Sequence, residues 1–206
     1  DIAPPEGFAR TSTDDWGSWL RGLPLFEYGY PVHVQNGSAK AIQSMHARVV
    51  RLDVLPYQEC ADTILRLRAE YEVSRGRTFR FSGLAFSTGS RKDFDQFLRR
   101  MFVTKGTHNL ASDVPKPRDR DLKPGDLLVV GGSPGHAVMV LDVVEKPAAG
   151  ATSRKVLLAN GFMPAQEFHV VRNPQGGVWF DVADLNAGLH FPMGGFTFDW
   201  SSVRRF

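Results

Sequence analysis

The sequence predicts an α+β fold, with N-terminal helices packed on a mostly antiparallel sheet or partial barrel. Three observations carry that reading. Helical periodicity is concentrated in the first half, at residues 57–71 and 93–103. Alternating or β-branched apolar runs dominate the second half. Residues 125–144 read as strand, glycine turn, strand, with apolar runs flanking Gly131-Gly132-Ser133-Pro134-Gly135. Helices first and then mostly strands suggest α+β with an antiparallel sheet and the Cys60 helix packed across it.

Taken in order, residues 1–12 form a Pro-rich extended lead-in to a single domain spanning residues 1–206. Asp14 offers an N-cap before Trp16, Trp19 and Leu20, one face of a short helix that ends before Pro24. Residues 25–44 are polar, with turn signals at Gly29-Tyr30-Pro31 and Asn36-Gly37, and read as a hairpin or a long loop. Residues 45–54 are a Val-rich strand. Pro56 is a favoured first helical residue, so the next helix is drawn over residues 57–71. Its core stripe is Cys60, Ile64, Leu67 and Tyr71, with Arg66, Arg68 and Glu70 on the other faces. Residues 79–86 read as one strand, and residues 93–103 as an amphipathic helix facing inward through Phe94, Phe97, Leu98, Met101 and Phe102. Residues 111–125, with three prolines, are an exposed connection. After the hairpin come a solvated turn at residues 146–152 and strands at 156–159, 168–171, 178–180 and 196–198.

Composition narrows the function classes. With 42% hydrophobic and 23% charged residues, the chain is globular rather than disordered. A formal charge of +3, with arginines scattered, leaves no footprint for nucleic acid. No apolar run approaches the roughly 18 residues that span a bilayer. Asp1 in place of an initiator Met reads as a trimmed or mature form, silent on targeting. Cys60 is the single cysteine, so an intramolecular disulfide and a Cys-based zinc site are excluded.

Gly131-Gly132-Ser133-Pro134-Gly135 matches the G-x-S-x-G nucleophile elbow in form only. Pro134 lacks the N–H that such an elbow supplies to the oxyanion, and a strand rather than a helix follows. A phosphate loop is excluded by the missing Gly-Lys-Ser/Thr ending. His33, His46, His108, His136, His169 and His190 lack the three-to-five-residue spacing of a local metal site, so no metal or cofactor is called for. Asp126 or Asp142 could orient His136 within the hairpin. The sharper pair is Cys60 and His136. A thiol at a helix N-terminus is acidified by the helix dipole. A histidine on a strand packed against that helix can act as base. Asn160 or Gln166 is available to orient the imidazole, and Gln58 or backbone N–H groups near Cys60 to hold an oxyanion. A buried Cys on a core stripe and a His capping a hairpin would leave the same residues.

Tyr57-Gln58-Glu59-Cys60-Ala61-Asp62 and Arg66-Leu67-Arg68-Ala69-Glu70-Tyr71 resemble the signature helix of a bacterial family, domain of unknown function 4846. Pro124-Gly125-Asp126, the run from Gly131 to Val138, Met163-Pro164-Ala165-Gln166, and Trp19-Leu20-Arg21 with Leu23-Pro24-Leu25 resemble its further motifs. The resemblance implies an exported protein, periplasmic or lipid-anchored at the cell envelope. Against the family pattern, Asn160 stands where Gln is expected, and the stretch between Phe86 and Phe94 is shorter. Gly135-His136-Ala137-Val138 also resembles the His motif of NlpC/P60-type, papain-like cysteine peptidases, although Glu59-Cys60-Ala61 replaces their Asp-Cys-Ser/Gly. That likeness implies a papain-like arrangement and a cysteine amidohydrolase acting on peptide or amide bonds, such as those of peptidoglycan. Two other functions fit the residues. One is a non-catalytic envelope domain binding a peptide or glycan through exposed aromatics near Trp179, Phe191 and Trp200. The other is a hydrolase using different residues, with Cys60 structural.

Overall fold

The computed structural model describes residues 2–38, 45–148 and 151–206. Within them the order is β1 (Ala9–Arg10), α1 (Asp15–Arg21), β2 (His46–Val49), α2 (Cys60–Ser74), β3 (Phe79–Phe81), β4 (Leu84–Phe86), α3 (Arg91–Thr104), α4 (Thr107–Asp113), β5 (Leu127–Val130), β6 (His136–Ala148), β7 (Ala151–Asn160), β8 (His169–Val171), β9 (Trp179–Asp181), β10 (Leu189–His190), β11 (Thr197–Phe198) and β12 (Val203–Arg204). This is an α+β architecture with one large antiparallel sheet. The strand order is β12-β5-β6-β7-β8-β2, with β1 added to β6 and β9 to β7. The mostly antiparallel sheet is as expected, and among the described residues it does not close into a barrel. Its two outer strands, β12 and β2, are not paired with each other.

Each sheet face carries its own core, because side chains alternate along a strand. On one face Ala137, Met139, Leu141, Leu157 and Ala159 pack under α2, through Ala61, Ile64 and Leu65. On the other, Val138, Val140, Val156 and Leu158 are covered by the C-terminal segment, through Leu185, Leu189, Phe191, Met193 and Phe198. The sheet is therefore covered on both sides, and α2 lies in the interior rather than on the surface.

The central hairpin forms as its residues dictate. β5 and β6 pair from Leu127↔Met139 to Val130↔His136, and the turn is residues 131–135. A Cβ at Gly135 would stand 2.3 Å from Thr107 Oγ1, 2.6 Å from the Gly132 carbonyl and 2.8 Å from the Val130 carbonyl. Two of these atoms are backbone and cannot swing away. Gly135→Ala is expected to cost about 3 kcal/mol of stability by overpacking. A urea midpoint unchanged from wild type would refute this.

Several elements depart from the sequence reading. α2 starts at Cys60 rather than near Pro56, because Tyr57 has φ +67° and breaks helical backbone. Residues 79–86 are a hairpin, not one strand, turning at Ser82-Gly83. α4 is a helix where none was expected, and its last residues, 111–113, fall in the stretch expected as an exposed connection. Arg66, expected on an outer face, is 1% exposed. Of the turn expected at residues 146–152, residues 146–148 continue β6 and 151–152 begin β7, while 149–150 lie outside the described residues. The hairpin or loop expected at 25–44 also falls partly outside them.

Candidate functional site

Cys60 and His136 are the first residues of α2 and β6. α2 lies on one sheet face and reaches the end of the sheet where β6 begins and β7 ends. Gly161, just past β7, permits this approach, since a Cβ there would meet Thr63 Oγ1 at 2.9 Å and the Glu59 carbonyl at 3.3 Å. Cys60 and His136 consequently line one cavity of about 520 Å³. Its other walls include Phe102, Pro134, Phe162, Met163 and Phe196, with Lys105 and His108 on the α3–α4 side and Glu59 and Asp62 beside the thiol.

The electrostatics of the two residues differ from the expectation of an activated thiolate. Cys60 sits at the positive end of a 15-residue helix. Backbone N–H groups of Ala137 and Ala61 hydrogen-bond its sulfur. Burial outweighs both effects, and the carboxylates of Asp62 and Glu59 add to it, so the thiol is pushed up to about 11. His136 is 1% exposed and stands on the sheet face away from α2. Its ring is surrounded by Phe162 at 5.0 Å, Phe196 at 5.1 Å, Phe191 at 5.3 Å and Phe198 at 6.5 Å between centroids. Burial pushes the imidazole down to about 4, and His169 acts in the same direction. At rest, then, a neutral thiol and a neutral imidazole share the cavity, and the sulfur's donors are backbone groups rather than the ring.

The other sequence-predicted residues are placed unequally. Asn160 is fully buried at the end of β7. The register Met139↔Ala159, carried one step further, sets Asn160 opposite Val138 and on the same face as His136. Asn160 Nδ2 donates to the Gly161 carbonyl at 2.6 Å. Its Oδ1 is buried without a hydrogen-bond partner, and so is His136 Nε2. Gln166 is fully buried, does not line the cavity, and bridges Val34 through its backbone. Gln58 is also fully buried, and its amide is occupied: Nε2 donates to Thr63 Oγ1 at 3.1 Å, and Oε1 accepts from Arg66 at 2.6 Å. Asp126 and Asp142 serve elsewhere, Asp126 binding Arg205 at 2.6 Å and Asp142 binding Arg10 and Arg21 at 2.7 and 2.6 Å. The serine-elbow form is followed by a strand, as anticipated. Trp179 and Phe191, expected as exposed aromatics of a groove, are buried in the two cores. Trp200 is half-buried and bonds Asn186 at 3.0 Å. Among the described residues no group of three or more His, Cys, Asp or Glu side chains is placed to hold a metal ion.

Asp62 was missed by the sequence reading. Its carboxylate accepts the Glu59 N–H at 2.9 Å, closing the first turn of α2. Burial pushes it up to about 7, against that hydrogen bond and with the Glu59 charge. The Asp three residues after a helix-capping position was the available signal.

A family profile, domain of unknown function (4846), matches residues 1–90 and 74–205. The chain belongs to this family. No curated protein and no solved structure matches it. The two matched stretches together take in Cys60, His136, Asn160 and the cavity walls, so the site lies wholly within the family's domain. Among the described residues of this family member no helix is long and apolar enough to cross a membrane.

Proposed function

We propose that this chain is a cysteine amidohydrolase of papain-like layout, acting on peptide or amide bonds at the cell envelope. One observation carries the reading: the only cysteine opens α2, His136 opens β6, and both face one cavity. The papain-like arrangement, the envelope location and a peptidoglycan-type peptide as substrate rest on family resemblance and are part of the proposal.

In this reading His136 takes the Cys60 proton as the sulfur attacks the scissile carbonyl, since both groups are neutral at rest. The N–H of Cys60, at the first helical position and without an intrahelical partner, supports the oxyanion. Gln58 is less suited to that role because its amide is already bound. The proton passes from His136 to the leaving amine, and the acyl group stays on sulfur as a thioester. Water, deprotonated by His136, then releases the carboxylic acid and restores the thiol. Asn160 Oδ1 is the candidate acceptor for His136 Nε2–H, because both atoms are buried and lie on one sheet face. The two are not hydrogen-bonded to each other in the resting structure, so the role requires the amide and the ring to close on each other. Gln166 is the reserve for that role.

The second reading, binding without catalysis, draws support from the unactivated thiol and the aromatic lining. Peptidyl acyloxymethyl ketones, followed by intact-mass spectrometry, separate the two. A catalytic site is expected to give an adduct on Cys60 that His136→Phe abolishes, while iodoacetamide labels slowly at pH 7 and faster toward pH 11 in both proteins. Peptides that bind without forming an adduct establish the binding reading. An adduct formed equally well by His136→Phe removes His136 as the base.

A further inference from the structure

We propose that a second cavity, on the α2 side of the sheet beside α1 and β2, binds a small carboxylate with a short apolar tail. It shares no lining residue with the Cys60 cavity, and its role does not depend on what Cys60 does. Its volume is about 420 Å³, within the roughly 300–1,000 Å³ of small-molecule sites. Leu20, Leu141 and Leu157 form the floor, and the half-buried Ile2, Leu23 and Leu25 form an apolar rim. Arg21, Arg48 and Asp142 stand among them.

Two β-bulges bring the charged side chains to this face. In a regular strand, neighbours point to opposite faces, so a charged residue next to a core residue is sent to the other side. In β6 the register shifts between Val140↔Leu158 and Asp142↔Leu157, so Leu141 and Asp142 together oppose Leu157. Both therefore lie on the α2 side, where Leu141 and Leu157 join the core. In β2 the register shifts between His46↔Val171 and Arg48↔Val170, so Ala47 and Arg48 together oppose Val170. Ala47 and Val170 belong to that same core. Two separate strands thus break register, and each turns one charged side chain onto the same apolar face. Bulges re-aim side chains in this way beside binding and active sites.

Arg48 supplies the charge that a ligand would meet. Asp142, 4% exposed, is shared by Arg10 at 2.7 Å and Arg21 at 2.6 Å, and it also accepts the Val143 N–H at 2.8 Å. That carboxylate is committed. Arg48 has no acidic partner among the described residues. Its Nε and Nη2 both donate to one neutral acceptor, the Phe26 carbonyl, at 3.2 and 2.7 Å. This contact uses the Nε side of the guanidinium. The Nη1–Nη2 edge is left, and it is a fork that takes a carboxylate through two parallel hydrogen bonds.

The class of ligand follows from these donors and this wall. One open fork suits one planar monoanion. A phosphate ester, with up to two charges and three oxygens, asks for more donors than Arg48 alone offers, since Arg21 is held by Asp142 and by the Thr11 carbonyl at 2.9 Å. The apolar rim and floor give a short hydrocarbon tail a place out of water. A half-buried guanidinium above such a wall matches a carboxylate head with its tail turned inward.

Isothermal titration calorimetry of the full chain with hexanoate, acetate and hexan-1-ol at pH 7 tests the site. Hexanoate is expected to bind roughly tenfold more tightly than either control, since acetate lacks the tail and hexanol the charge. Arg48→Met is expected to weaken hexanoate about tenfold, the loss of one charge-assisted contact, and to leave hexanol unchanged. Arg48→Lys keeps the charge without the fork, and its affinity is expected to fall between the two proteins. In ¹H–¹³C methyl spectra of the wild type, hexanoate is expected to shift Leu23, Leu25 and Leu157 and to leave Ala61, in the Cys60 cavity, unmoved. Hexanoate that binds no better than hexanol, or not at all, overturns the proposal. So do an Arg48→Met protein that binds like wild type and shifts centred on Ala61. Should Arg48→Met fail to fold, the three ligands and the methyl shifts of the wild type still decide.

Discussion

Arg66→Met is expected to lower the unfolding free energy by about 3 kcal/mol, the cost of leaving a fully buried amide oxygen and a half-buried carboxylate short of their donor. Arg66 is 1% exposed and is held from three sides. Nε donates to Glu70 at 2.9 Å, and Nη1 donates to the Asp53 carbonyl and to Gln58 Oε1, both at 2.6 Å. Nη2 pairs with the Asp53 carboxylate. Met fills most of the volume but donates nothing. Gln58 Oε1 would retain only the Leu55 N–H, at 3.4 Å, in a fully buried setting. The half-buried Glu70 would keep only the longer Arg91 contact at 3.9 Å, and Asp53 is largely solvated and would suffer little. The effect reaches function because Arg66 and Gln58 tie residues 53–58 to α2, and those residues deliver Cys60 to the cavity. Urea denaturation at pH 7 measures the loss. A change below about 1 kcal/mol would mean that the cluster is replaceable, as some buried ion networks are.

His136→Phe is expected to reverse part of the acid response of stability. The folded imidazole titrates at about 4, against an ordinary value of 6.5. Between those values the unfolded chain binds a proton that the folded chain refuses. The stabilising contribution is therefore complete above pH 6.5 and is lost as pH falls toward 4, by about 3 kcal/mol in all. Asp62 works in the opposite sense. Its folded value of about 7, against 3.8, means that the folded chain holds the extra proton, and stability falls as pH rises through that window. The two terms nearly cancel in the wild type. Phe fits among Phe162, Phe191, Phe196 and Phe198 and does not titrate. The variant should accordingly gain about 3 kcal/mol over wild type on going from pH 7 to pH 4. Asp126, also raised by burial, enters both curves alike. Urea curves at pH 4, 5, 6 and 7 provide the comparison, and parallel curves would show that His136 is not desolvated as described.

How much was legible depended on how local each signal is. The α2 stripe of Cys60, Ile64, Leu67 and Tyr71 and the hairpin around residues 131–135 are short-range patterns, and both formed. Arg66 was misplaced because helical periodicity assumes one solvated face, and α2 has almost none over residues 60–67. The hairpin of β3 and β4 was read as one strand because its two-residue turn lies within a run rich in Phe. Asp62 was not singled out for a role, since it matters only through its burial beside the thiol.

What the sequence by itself determined is the α+β class, the helix that carries Cys60, the strand that carries His136 and the family. All of these reside in residue order and local period. What only the tertiary structure decided is the meeting of those residues and their state. The strand order set Asn160 beside His136 on one face, and the end of the sheet let α2 reach the same cavity from the other. Burial then kept thiol and imidazole neutral against the helix dipole. Desolvation is a sum over all surrounding atoms, and no stretch of sequence contains that sum.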